Sequence, residues 1–138
     1  MTLMTGQCLC GAVRWSSNGP VLWAGHCHCE SCRKATSSPF TSFFGVPRES
    51  VTWQGELASY TSSNGKVARQ FCTGCGAQMT YQYEGWPTET HLYAGSLDDK
   101  SQFKPEAHFH FAEKLDWVHI DDDLPKYHGS ADNTEPLS

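Results

Sequence analysis

The residues with the clearest chemical capacity lie between His26 and Cys32, where "HCHCESC" sets three cysteines and two histidines within seven positions. Thiolates this close together bind borderline-soft cations, exchange disulfides or attack electrophiles. The other four of the seven cysteines form two pairs, Cys8-x-Cys10 and Cys72-x-x-Cys75, so none is isolated. Zinc holds each sulfur at about 2.3 Å, and a tight C-x-x-C turn supplies two sulfurs close enough to share one ion. In C-x-C the two side chains leave the same face of an extended segment and can converge in the same way. Gly11 and Gly76, each following the second cysteine of a pair, relieve strain where the chain bends round an ion.

Two pairs and a triplet suggest a partition into four and three. Four thiolates close a tetrahedral zinc and act as a staple, whereas three leave one position for water or substrate. A shared thiolate cluster, or a histidine completing the second site, fits the same spacing. Alternation along an extended segment turns His26 and His28 away from the face that Cys27 and Cys29 share, which favours packing or hydrogen bonding over ligation. His108 and His110, in "HFHF", are expected on one face of a partly buried strand, and His91, His119 and His128 carry no signal. A thioredoxin-like reading of the C-x-x-C motifs lacks the βαβ context it requires.

These cysteines must be positioned by a chain of 138 residues, a length suited to one domain with a single core. With 38% hydrophobic residues, that core would benefit from cross-links or metals. No apolar run approaches the ~20 residues of a membrane helix. The start, "MTLMTGQCLCGAV", lacks a basic region followed by an apolar block, so the expected compartment is the cytoplasm. In that reducing setting, metal binding or catalysis explains the cysteines better than disulfides do. Ten Lys plus Arg against fifteen Asp plus Glu give a formal charge of −5, which argues against a nucleic-acid partner.

Short β-rich segments separated by turn signals predict a mostly β chain. Strands are expected at Ala12–Trp15, Thr41–Val46, Val51–Trp53, Leu57–Tyr60, Val67–Phe71, Gln78–Tyr83, His91–Ala94, His108–Phe111 and Trp117–Ile120. "SSNG" at Ser62–Gly65 reads as a hairpin tip that delivers Cys72 and Cys75 just after its second strand. A short helix is expected after Cys29 and another in "SLDDKSQF", with Ser96 or Asp98 as its cap. Trp23, Trp53, Trp86 and Trp117 are expected in the core or lining a pocket, and residues 130–138 read as a disordered tail.

The ordered segments "GQCLCGAVRW", "CHCESCRKATSSPF", "FCTGCG", "GSLDD", "PEAHFHFAEKLDW" and "DDDLPKYHG" resemble the GFA family. These are the glutathione-dependent formaldehyde-activating enzymes and their relatives, which include centromere protein V. The resemblance runs from about Gly6 to Gly129. It implies a single zinc-binding domain over residues 1–129, a β-tent of twisted antiparallel sheets clamped by zinc. It also implies that Cys8, Cys10, Cys72 and Cys75 hold a structural zinc, and that Cys27, Cys29 and Cys32 hold a catalytic one. Two zinc ions per chain are thus expected, with the three-cysteine site the less firmly filled. The implied activity is that of a carbon–sulfur lyase acting on a thiol adduct, with glutathione and formaldehyde as partners. Arg33 and Lys34 are candidates for the thiol substrate's carboxylates. The alternative is a non-catalytic zinc module that binds a protein or a thiol ligand.

Overall fold

The computed structural model describes residues 3–130 and the backbone of residues 136–137. The expected tail at 130–138 falls largely outside the described residues. The chain is mostly β and forms two compact units, Met1–Trp23 with Phe44–Phe103, and Ala24–Phe43 with Lys104–Ser138. It passes from one unit to the other within two strands, β3 (Trp23–Cys27) and β4 (Thr41–Pro47).

The first unit contains a three-stranded antiparallel sheet in the order β1 (Met4–Gln7), β2 (Arg14–Ser17) and β5 (Val51–Gln54). Period-2 alternation turns Met4, Gly6, Trp15 and Ser17 inward. Gly6 has a steric reason: a Cβ there would lie 2.4 Å from the Trp15 indole. That indole donates its Nε1–H to Ser96 Oγ at 3.0 Å, so its polar edge is satisfied where the ring is buried.

The same unit continues from the end of β4 through β9 (Glu89–Tyr93), β8 (Gln78–Tyr83), β7 (Val67–Cys72) and β6 (Leu57–Thr61), in that spatial order. Phe44, Val46, Met79 and Leu92 fill its core. The β6–β7 hairpin turns at Ser62–Gly65 as the sequence predicts. Only Gly65 adopts a positive φ there, +75°, and Asn64 instead accepts hydrogen bonds from Ser62 Oγ and the Lys66 N–H. The tip is therefore a wider loop than a two-residue Asn-Gly turn.

In the second unit, β10 (Ala107–Phe109) pairs parallel with β3 and with β11 (Lys126–Tyr127). Its register sets His108 opposite His26 and Phe109 opposite Cys27. The single α-helix among the described residues, α1 (Glu30–Thr36), follows Cys29 directly, as expected.

Several expectations are corrected. "HFHF" is not one strand, because β10 ends at Phe109 and His110 turns left-handed at φ 52°. Trp117–Ile120 forms no strand, and Trp117 is 66% exposed rather than lining a core or pocket. In "SLDDKSQF" the cap is Asp99, which accepts from the Ser101 N–H, while Ser96 and Asp98 bond Trp15 and Thr5.

Candidate metal centres and a buried histidine chain

The first thiol cluster is assembled by two turns of the first unit. After β1, the Gly11 N–H returns to the Cys8 carbonyl at 3.2 Å, with Gly11 at φ +80°. After β7, the Gly76 N–H returns to the Cys72 carbonyl at 2.9 Å, with Gly76 at φ +76°. Each glycine thus supplies the left-handed residue that lets the chain double back. The sulfurs of Cys8, Cys10, Cys72 and Cys75 all lie within 4.8 Å of one another. Cys8 and Cys10 are 3.7 Å apart and Cys10 and Cys72 are 3.8 Å apart. A tetrahedron with zinc–sulfur bonds of about 2.3 Å has edges of about 3.8 Å, so the spacing fits the ion.

Backbone N–H groups also point at these sulfurs: Val13 at Cys8 (3.3 Å), and Gly74 and Cys75 at Cys72 (3.3 and 3.4 Å). Such donors favour thiolates. Burial pushes Cys8 up, but the Val13 N–H and the neighbouring thiols outweigh it and bring it down to about 6. The Ala12 N–H lowers Cys10, yet the neighbouring sulfurs drive it up to about 11. The thiols compete for protons, and a divalent cation ends that conflict by taking all four as thiolates.

The second cluster belongs to the second unit. Cys27 ends β3, Cys29 is the N-cap of α1, and Cys32 lies in its first turn. Their sulfurs lie within 4.8 Å of one another, and no histidine or carboxylate joins them among the described residues. Cys29 Sγ accepts the Cys32 N–H at 3.3 Å, the bond a serine cap would make, and Ser31 Oγ lies 3.4 Å away. Cys27 and Cys32 are buried and Cys29 is half-buried. Contacts from Cys27 and Cys32 hold the Cys29 thiol far below its ordinary range, while contacts from Cys29 and Cys32 drive Cys27 far above it. This donor set also fits zinc, with three ligands rather than four.

Beside this cluster lies a chain that the sequence did not disclose. His28 is fully buried, and its Nε2 is 2.9 Å from His108 Nδ1. His108 Nε2 is 2.8 Å from Asp122 Oδ2. His26 stacks on His108 with centroids 4.9 Å apart and bonds Ser42 Oγ through Nδ1 at 2.8 Å. Phe40 and Phe111 close around the His28 ring. Burial first, and then the neighbouring His108, His26, Lys114 and Arg33, hold His28 down to about 4, so it is neutral at pH 7. Burial opposes charge on Asp122, yet bonds from His108 and the Leu124 N–H keep its carboxyl below the usual range. The partners are 80 and 14 residues apart in sequence; the parallel β3–β10 register, continued by the His28 N–H to the Phe109 carbonyl, brings His28 to His108, and the segment leading into β11 brings Asp122. The available sequence signal was His28 itself, turned to the opposite face from its two cysteine neighbours.

The sequence also left His91 unread. It is buried in the first unit, packed edge-on to Trp23 and stacked on Tyr81, with Nε2 2.7 Å from Glu89 Oε1. The candidate cations are placed differently from one another. Arg33 Nε donates to the His28 carbonyl at 3.1 Å, bracing the cysteine loop, while Lys34 pairs with Glu30 at 2.7 Å on the surface of α1.

The family model described as glutathione-dependent formaldehyde-activating enzyme, GFA, matches residues 3–113. The chain belongs to the GFA family. A Halomonas elongata relative, provisionally named a glutathione-dependent formaldehyde-activating enzyme, is 28% identical over 132 residues, covering 86% of this chain and 82% of the relative. A Schizosaccharomyces pombe protein, named an uncharacterized lyase, is 35% identical over 78 residues, 56% of each chain. A crystal structure of a Rhodobacter sphaeroides protein covers 70% of this chain and 89% of its own at a TM-score of 0.59 and 23% identity, a likeness of fold. Both named relatives carry enzyme names, and GFA membership makes this chain a lyase-type enzyme. Among the described residues no helix is long and apolar enough to cross a membrane.

Proposed function

We propose that this GFA-family chain is a cytoplasmic zinc enzyme that makes or breaks the carbon–sulfur bond of a thiol–aldehyde adduct. The substrates we assign are glutathione and formaldehyde, in line with the family description. The observation that carries the reading is the three-thiol set, which no further histidine or carboxylate joins among the described residues. Cys27, Cys29 and Cys32 would hold the catalytic zinc, and Cys8, Cys10, Cys72 and Cys75 a structural one, giving two per chain within one domain of residues 1–129. Zinc at a three-thiolate site supplies a soft acceptor that binds a substrate thiol as thiolate and lowers its pKa. In the addition, the thiol sulfur bonds the aldehyde carbon, the C=O π bond opens, and the thiol proton ends on the new hydroxyl. The product is S–CH2–OH, and the reverse step regenerates thiol and aldehyde.

The chain's residues contribute the frame for this step. α1 fixes Cys29 and Cys32 on one turn, and the Cys32 N–H directed at Cys29 Sγ favours its thiolate. Arg33 holds the loop through the His28 carbonyl. Lys34, at the exposed end of the same helix, and Arg33 are the cations we assign to glutathione carboxylates. Cobalt substitution tests the reading: two metals per chain are expected, one with absorption bands that change as glutathione is added. Two cobalt ions indifferent to the thiol would refute it in favour of a closed, non-catalytic zinc module.

A further inference from the structure

The thiol chemistry leaves the outer face of the first unit's three-stranded sheet unused. Met4, Gly6, Trp15 and Ser17 turn inward, so the alternate side chains of β1 and β2 face out. Register sorts the outward residues of the sheet into two rows. Thr5, Ser16 and Thr52 lie abreast as a row of hydroxyls. Two residues along, Gln7, Arg14 and Gln54 set a guanidinium between two carboxamides. Both rows line a cleft of about 330 Å³, which Asp98 also borders.

Each charge in this cleft is fixed by a neighbour of its own. Arg14 Nε donates to the Gly11 carbonyl at 3.3 Å, which leaves the terminal N–H groups of its fork for a ligand. The Asp98 N–H donates to the Thr5 carbonyl at 3.0 Å, and Asp98 Oδ2 accepts from Thr5 Oγ1 at 2.8 Å. Arg14 and Asp98 join no ion pair among the described residues. The sheet keeps them apart, because the Gly6–Leu97 bridge sets Asp98 beside Thr5, on the side of β1 away from Arg14. Two strand spacings and two residues of rise separate their Cα atoms by about 12 Å. One cleft thus presents a cation and an anion on opposite sides, with neutral donors and acceptors between them.

We infer that this cleft binds a short peptide with both termini free, its carboxylate on Arg14 between Gln7 and Gln54 and its ammonium on Asp98. A free amino acid is too short, since a single residue separates its charges. Three extended residues span roughly 10 Å, which matches the separation of Arg14 and Asp98. The hydroxyl row and the two carboxamides then meet peptide N–H and C=O groups. The arginine fork suits a carboxylate because it can give two parallel N–H bonds. A protein tail offers one free terminus and leaves the other charge unmatched. The cleft volume also falls within the range of about 300–1,000 Å³ typical of small-ligand sites. The inference stands apart from the thiol reading, because it asks no sulfur of the ligand.

The probe is triglycine, which carries both charges and no thiol. The measurement is the backbone 1H–15N shifts of Thr5, Arg14, Ser16 and Gln54 in zinc-loaded, 15N-labelled protein titrated through the millimolar range at low salt. A saturable shift is expected, with affinity about tenfold weaker when the probe is amidated at its C-terminus or acetylated at its N-terminus. Arg14→Gln should weaken triglycine about tenfold and leave the amidated peptide unaffected. Asp98→Asn keeps an acceptor for Thr5 Oγ1 and should weaken triglycine while leaving the acetylated peptide unaffected. Where a variant disturbs the fold, the unsubstituted protein's preference for triglycine over its two blocked forms still decides the matter. Absent shifts, or equal affinity for free and blocked peptides, overturn the inference. So does displacement of triglycine by an equal concentration of glycine or inorganic phosphate, which marks a site for a lone charge. A cobalt centre silent to glutathione removes the proposed function and leaves this inference standing.

Discussion

Replacing Cys75 and Cys29 separately by serine should separate a staple from a working site, and the size of the difference follows from chain topology. The four-thiol cluster joins the Cys8–Cys10 turn to the Cys72–Cys75 turn, with Cys10 and Cys72 62 residues apart. Treated as a cross-link, closing a 62-residue loop removes about 4 kcal/mol of denatured-state entropy. The three-thiol cluster spans only residues 27–32. The same relation gives about 2 kcal/mol for a loop of about five residues. Cys75→Ser leaves three sulfurs, so about 4 kcal/mol is a ceiling, equivalent to roughly 12 °C in Tm for a chain of this size. Cys29→Ser loses less than its ceiling, because serine is a good N-cap and keeps the bond from the Cys32 N–H. The assay is a denaturant titration with metal content determined by atomic absorption. Cys75→Ser should cost at least twice as much stability as Cys29→Ser, while only Cys29→Ser abolishes the thiol response of the cobalt protein. Equal or reversed stability losses would refute the assignment of the staple.

Other outcomes follow from particular groups. Gly55 holds φ +94°, and a Cβ there would lie within 3 Å of the Ala12 and Val13 backbone, so Gly55→Ala should cost about 2 kcal/mol or more in urea unfolding. His28 is held down to about 4 from 6.5, so the unfolded chain takes up its proton first as pH falls. Its contribution to stability is therefore complete above pH 6.5 and declines by up to about 3 kcal/mol toward pH 4. His26 and His91, both lowered mainly by burial, act in the same direction. Denaturant midpoints taken where the metal count still holds at two should show this decline, and a flat profile would contradict it. Lys34→Ala should raise the glutathione concentration needed for half-maximal cobalt response while leaving Tm and metal content unchanged, since the side chain is 74% exposed.

The cysteine groups were legible because their chemistry depends on local spacing. C-x-C and C-x-x-C each bring two sulfurs together within one turn, and Gly11 and Gly76 announced the turns that do so. The hairpin at Ser62–Gly65 and the helix after Cys29 were legible for the same reason. β3 was not, since "WAGHC" breaks its alternation with Gly25, whose place beneath Phe109 is set by the distant β10. β1 was hidden likewise, because "MTGQ" has weak strand propensity and is held by its register with Trp15. Two partners within the first unit explain why Asp98 and Ser96 abandoned the expected capping role: Thr5 and Trp15 reach them across 93 and 81 residues. His108 looked like ordinary aromatic packing because nothing nearby in sequence marks Asp122 as its partner.

The two thiol clusters also differ in what surrounds them, and that difference bears on function more than ligand count does. Around Cys8 and Cys72 the neighbours are backbone N–H groups of their own turns, which satisfy the sulfurs and offer nothing to a second molecule. A site of that kind is complete once a metal enters. In the unit that holds Cys27, Cys29 and Cys32 the polypeptide also assembles a carboxylate, three imidazoles and two phenyl rings, drawn from four separate stretches of chain. A structural ion does not require such an assembly, because three thiolates and a turn suffice to bind it. Burying His28 with Nδ1 unpartnered among the described residues costs about 1–3 kcal/mol, which holding an ion does not call for. A zinc held by the three thiols would keep one tetrahedral position for a substrate sulfur, and the proposed function rests on that position.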